Sequence, residues 1–291
     1  MPFLREKSGR PSPEKIAAFV GVLLPALWLL YRTWVGDLGA RPVTAAIHFS
    51  GDWAVRLLLI SLAVTPARRL FGWGKLILAR RTLGVAAFCY AALHFTLYIV
   101  DQKFDLFKVA SEIVLRFYLT IGFIALLGLL ALAATSFDAA IRRLGKRWAT
   151  LHMATYPIVV LAILHFMLQK KLEIDEPILM AGFTLWLLGY RLLQRYSRAA
   201  VPQLIGLAIA STVLAALLEA AWFAGRTGVD PFRVLGNNLD FEYEIRPVWW
   251  VLAAGLAVVA VHLAADAFNS RGGKVKHGRR APARLAGEPA P

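Results

Sequence analysis

His94, His152 and His165 fall inside long apolar runs and are the side chains best placed to do chemistry. An ionisable ring within a membrane helix faces protein, water or a cofactor rather than lipid, and marks a functional position by default. His152 and His165 share the stretch 141–169, IRRLGKRWATLHMATYPIVVLAILHFMLQ, thirteen residues apart. Helical geometry separates them by roughly 20 Å of rise and about 220° of rotation. They cannot grip one metal ion together, but they can serve two sites at two depths. His94, from the preceding histidine-bearing run, is the candidate partner of His165. Two neutral imidazoles from different helices at one depth can take the opposite faces of a planar cofactor, which is the requirement of a bis-histidine haem. The plainer alternative is that each ring hydrogen-bonds across a helix interface.

Apolar helices must hold these residues. The 291 residues are 58% hydrophobic with a mean hydropathy of +0.59, against ~45–50% apolar in a soluble domain. Eight runs, about 16–35, 48–65, 82–101, 117–136, 149–169, 176–194, 202–224 and 247–268, are each long enough for a ~30 Å hydrocarbon core. Lipid satisfies no backbone polar group, so all eight are predicted helices. Thr65-Pro66 reads as a helix stop, Glu176-Pro177 as a start, and Pro157 as a kink between the two histidines of the fifth helix.

The net charge of +15 could suggest nucleic acid, but the loops account for it. With the N-terminus inside, the inner segments carry four, five, four, three and six Lys or Arg, making 22, against nine in the outer loops. Both termini are therefore expected in the cytoplasm, with Arg5, Lys7, Arg10 and Lys15 leading an uncleaved anchor. The lone Cys89 excludes a disulfide framework or a cysteine-ligated cluster within one chain.

Orientation converts position into depth. His94 lies seven residues below Asp101 at the outer end of the third helix, roughly 10 Å down. His165 lies five below Lys170 on the fifth, roughly 8 Å down. His152 sits near the inner end, where the matching level of the third helix holds Arg80 and Arg81 rather than histidine. With Lys146 and Arg147 nearby, those arginines suit a phosphate or propionate, as of a flavin nucleotide. They equally suit lipid phosphates at a positive-inside surface. His48, at the outer start of the second helix, is a solvated ring or part of a docking or quinone site. Arg56 can pair with Asp52 four residues earlier, or meet a propionate or a quinone carbonyl. Glu219 and His262 receive no role. The tryptophans at helix ends, such as Trp34, Trp148 and Trp249, suit an interfacial belt.

No nucleotide-binding glycine motif follows the sixth helix, and there is no HExxH, no serine–histidine arrangement and no visible internal repeat. A chain that moves electrons without its own reductant-binding module must receive and relay them.

HFSGDWAVR and AVTPARRL around the second helix, RRTLGVAAFCYAALH in the third, and LALAATSFDAAIRRLGKRWATLHMATYPIVVLAILHF resemble one known family across about residues 38–195. It is the MsrQ (YedZ) family of haem-binding membrane subunits of bacterial periplasmic methionine sulfoxide reductase systems, in the ferric-reductase-like transmembrane superfamily. The resemblance implies an inner-membrane six-helix core with haem b and FMN. It implies electrons arriving from the quinone pool or a cytoplasmic flavin reductase, and leaving to a periplasmic molybdopterin subunit that reduces methionine sulfoxide. His94, His152 and His165 fall on the family's haem-associated histidines. Two-haem members of the superfamily carry two histidines on each of two helices; here the third helix has only His94, so one haem is expected and a second is open.

The expected architecture is an all-α integral membrane protein. A cytoplasmic N-terminus (1–15) precedes a six-helix ferric-reductase-like haem-binding bundle (16–198). Two additional transmembrane helices (199–270) and a basic, disordered cytoplasmic tail (271–291) complete it. The leading reading is an electron-transfer subunit with no substrate-reducing site of its own and no nucleic-acid partner. The alternatives are a transporter or channel with an intramembrane His/Arg relay, and a membrane scaffold for a periplasmic partner.

Overall fold

A bilayer leaves an open backbone unsatisfied, so segments this apolar close their hydrogen bonds internally. In the computed structural model, which describes residues 10–196, 200–242 and 244–277 (side chains of the last helix to 267), the chain is almost entirely helical. The helices are α1 (Pro13–Trp34), α2 (Pro42–Leu70), α3 (Arg80–Asp101), α4 (Leu106–Leu115), α5 (Phe117–Ala134) and α6 (Asp138–Leu144). They continue as α7 (Lys146–His152), α8 (Thr155–Lys170), α9 (Asp175–Tyr196), α10 (Val201–Thr227), α11 (Pro231–Asn237) and α12 (Pro247–His277), with a 3-10 turn over Gly74–Ala79.

Among the described residues seven spans are long and apolar enough to cross a membrane: α1, α2, α3 with its 3-10 lead, α5, α7 with α8, α10 and α12. The eighth expected segment is present as α9, 22 residues long, but Asp175, Glu176, Arg191 and Arg195 make it less apolar. It can carry them because α2, α8, α10 and α12 all pack against it, leaving less of its surface for lipid. The central helix is α2, with 56% of its apolar window buried against 17–33% for the other spans. α3 packs along α2, and α5 along α8.

Two prolines act differently from one another. The expected stop at Thr65-Pro66 does not occur: α2 runs through Pro66 to Leu70. Proline at 66 cannot donate to the Leu62 carbonyl; Arg191 Nη2 of α9 donates to it instead, at 3.0 Å. Pro157, as expected, interrupts the fifth span. The break falls at Met153–Ala154, between α7 and α8, and the Met153 carbonyl accepts from Tyr156 N at 3.0 Å.

The two helices beyond the six-helix pattern are clamped onto α9. Glu219 of α10, 1% exposed, accepts from Asn238 Nδ2 at 2.9 Å and pairs with Arg246 at 2.5 Å. Arg246 also reaches Asp175 at 3.1 Å. His262 of α12 lies 2.8 Å from the Leu70 carbonyl through Nδ1. Both residues thus have structural partners. α12 extends to His277, past the expected start of the tail; residues 278–291 and the leader before residue 10 lie outside the described residues.

Candidate functional site

The turn of α2 from Ile47 to Gly51 supports His94. Its Nδ1 lies 2.8 Å from the Ile47 carbonyl, which can only accept, so Nδ1 carries the proton. A neutral ring then presents its Nε2 lone pair away from the helix, the tautomer a metal ligand needs. At Gly51, one turn on from Ile47, a Cβ would stand 2.8 Å from His94 Nδ1. Only glycine lets the ring lie this close to the helix.

The same device holds His165. Its Nδ1 lies 2.8 Å from the Tyr118 carbonyl of α5, and a Cβ at Gly122 would stand 2.7 Å from Nδ1 and Cε1. Carbonyl, glycine and histidine recur as 47, 51, 94 and 118, 122, 165, every member displaced by 71 residues. The repeat is invisible in the sequence because the carbonyl can come from any residue type. Only the glycine and the histidine are chemically constrained.

The rings of His94 and His165 have centroids 6.2 Å apart and planes at 85°. With metal–imidazole bonds of about 2.0 Å, two axial imidazoles on one metal have centroids roughly 6 Å apart. Both rings line one cavity between α2, α3, α5 and α8, walled by apolar side chains such as Val55, Phe123 and Leu129. Its empty space, open mouth included, is about 1150 Å³. Among the described residues no three His, Cys, Asp or Glu side chains converge on one point. Two imidazoles facing across an apolar slot suit a metal whose remaining ligands arrive with a planar macrocycle.

At the mouth stand His48, Asp52, Tyr98 and Lys170. His48 is exposed. The expected Asp52–Arg56 pair is not formed: Arg56 is ion-paired with Glu176 of α9 and lies over the Trp53 ring at 5.2 Å. α9 brings that carboxylate from a distant part of the sequence, which a reading along one helix cannot anticipate. α4, unforeseen within the loop 102–116, covers the cavity through Ile113. Glu112 accepts from the Tyr98 hydroxyl at 2.6 Å and pairs with Arg116 at 3.1 Å. The Tyr118 hydroxyl, 3.2 Å away, and then that carboxylate hold the Arg116 guanidinium above its ordinary pKa.

His152 is set apart. It stacks on Trp148 with centroids 4.0 Å apart, approaches the Trp148 carbonyl through Nδ1 at 3.1 Å, and has Ser136 Oγ 3.4 Å from Nε2. The arginines expected to act together are dispersed. Arg81 pairs with Asp138 of α6 at 2.6 Å and lowers that carboxyl's pKa. Lys146 and Arg147 stand exposed at the start of α7. Arg80 is half-buried at the start of α3, with Arg191, Tyr156 and Arg68 as its ionisable neighbours.

Residues 50–163, from α2 into α8, match the family described as "Ferric reductase like transmembrane component". The chain is 45% identical over 196 residues to the protein-methionine-sulfoxide reductase heme-binding subunit MsrQ of Rhodospirillum rubrum, covering 67% of this chain and 92% of that protein. The chain belongs to the MsrQ family. The MsrQ subunit of Xanthomonas campestris pv. campestris is 43% identical over 201 residues, 67% of this chain and 92% of its own length. That of Brucella ovis is 40% identical over 202 residues, 69% and 91% respectively. No solved structure matches. MsrQ subunits of this length leave about a third of the present chain unmatched.

Proposed function

We propose that the chain is the haem-carrying, electron-relaying membrane subunit of a protein-methionine-sulfoxide reductase, with His94 and His165 as axial ligands of one haem b. The observation that carries this reading is the pair of imidazoles 6.2 Å apart across an apolar cavity, each with Nδ1 tied to a backbone carbonyl. When bound, the haem supplies a one-electron carrier; the protein contributes ligation, orientation and exclusion of water. Gly51 and Gly122 give the rings clearance, and α4 shields the outer side of the cavity.

On this reading the subunit lies in the bacterial inner membrane with both termini cytoplasmic, as the 22-to-nine bias of loop cations supports. Electrons come from the quinone pool or a cytoplasmic flavin reductase through FMN at the cation-rich end, beside His152 and Arg80. They leave at the opposite end to a periplasmic molybdopterin subunit. His48 and Lys170, at the cavity mouth, suit docking or a quinone. Among the described residues His152 is partnered by Trp148 and Ser136 rather than by a second imidazole, which favours a single bis-histidine haem. Purified protein should give a b-type spectrum that changes on dithionite reduction, and His94→Ala or His165→Ala should abolish it. Full haem content in both variants would overturn the ligand assignment.

A further inference from the structure

At the cation-rich end, where α2 packs on α3, α8 and α9, Arg191 lies against Tyr156, and both, with Arg68, are the ionisable neighbours of Arg80. Arg191 Nη1 donates to the Tyr156 hydroxyl at 2.9 Å, its guanidinium lies 5.0 Å from that ring's centre, and its Nη2 is committed to the Leu62 carbonyl. Arg68 and Arg80 are half-buried. Among the described residues none of the three pairs with a carboxylate, whereas Arg56, Arg81, Arg116 and Arg246 all do. Arg191 Nε is itself buried without a hydrogen-bond partner, as are Thr65 Oγ1 of α2 and the hydroxyl of Tyr190 of α9, a residue only 1% exposed. Gathering like charges in a partly desolvated crevice is costly unless an anion neutralises them. Guanidinium forks match phosphate oxygens in particular.

We infer that Arg68, Arg80 and Arg191 form a binding site for a phosphate ester between the ends of α2, α3, α8 and α9. The phosphate belongs either to an anionic lipid headgroup or to a flavin mononucleotide. In the second case the site deepens the inner-cofactor reading above, on which that arm alone rests. The site lies at the opposite end of the bundle from the His94–His165 cavity, so its occupancy is independent of the haem.

The test is native mass spectrometry of the full-length protein in detergent. Phosphatidylglycerol, diacylglycerol (the same tails without phosphate) and flavin mononucleotide are each titrated separately. The wild type is expected to hold one phosphatidylglycerol or one flavin mononucleotide in clear preference to diacylglycerol; the adduct mass names the source. Arg68→Gln with Arg80→Gln should weaken that adduct at least tenfold, while the exposed-loop control Arg142→Gln with Arg143→Gln should not. Binding of phosphatidylglycerol no tighter than diacylglycerol, with no flavin adduct, would overturn the proposal. So would equal binding by wild type and the Arg68/Arg80 variant. If the double variant does not fold, the single variants Arg68→Gln and Arg80→Gln decide: each should weaken the adduct, and wild-type binding by both would overturn the site. The haem spectrum, read on the same samples, reports on the outer site separately.

Discussion

Replacing Gly122 by alanine should weaken the proposed cofactor's binding without touching a ligand. The new methyl carbon would lie 2.7 Å from His165 Nδ1 and Cε1, where ordinary contact begins at 3.4 Å. The ring must retreat by about 0.7 Å from a backbone that also holds it through the Tyr118 carbonyl at 2.8 Å. Without cofactor the ring can swing into the cavity and escape; with its Nε2 fixed on iron it cannot. The cost therefore falls on binding. Losing the Nδ1 hydrogen bond costs about 1 kcal/mol and overpacking about 1–3 kcal/mol. Together these give about 2–4 kcal/mol, or roughly 30- to 700-fold in affinity. Haem titration of cofactor-free protein, followed by absorbance, measures this directly. Gly206→Ala, on an open face of α10 with nothing within 4 Å, is the control and should bind as wild type. Wild-type affinity and spectrum in Gly122→Ala would refute the reasoning.

Gly51→Ala should act on His94 in the same way, and a variant that retains full haem occupancy under dilution would contradict the repeated device. Glu219→Ala leaves Arg246, with a side chain 13% exposed, without its buried counter-charge. Breaking such a pair costs about 3–5 kcal/mol, so thermal unfolding in detergent should drop markedly while the haem spectrum of the folded fraction stays unchanged. Arg191→Met should destabilise by about 1–3 kcal/mol through the unpaired Leu62 carbonyl; Pro66→Ala, which restores the helical donor, should recover part of that loss. Equal costs in both backgrounds would sink the account of Pro66. Asp138 is held below its ordinary pKa by Arg81, so the pair is intact above the usual aspartate range and is lost as pH falls through the lowered value. Carboxyl NMR should find Asp138 titrating lower than a free aspartate, and Arg81→Gln should move it upward.

The spans and the His94–His165 pairing were legible because bilayer thickness and helical rise turn residue number into depth. Features depending on lateral contact between helices were not. Arg56 reads as the partner of Asp52 until α9 supplies Glu176. Pro66 reads as a stop until Arg191 satisfies the carbonyl it strands. Gly51 and Gly122 look like ordinary small residues in apolar helices; only their approach to the two imidazoles gives them a purpose. α4 lies within a stretch that reads as a connecting loop, and its function as a cover for the cavity follows from packing on α5. Glu219 has no partner at its depth on a neighbouring span because its partners, Asn238 and Arg246, come from the α10–α12 connection.

The central claim is that one haem b sits between His94 and His165. Reduced-minus-oxidised absorbance with pyridine haemochrome quantification on wild type, His94→Ala and His165→Ala tests it most directly. One b-type haem per wild-type chain, lost in both variants, is the predicted result; a wild type without haem, or variants that keep it, would contradict the account.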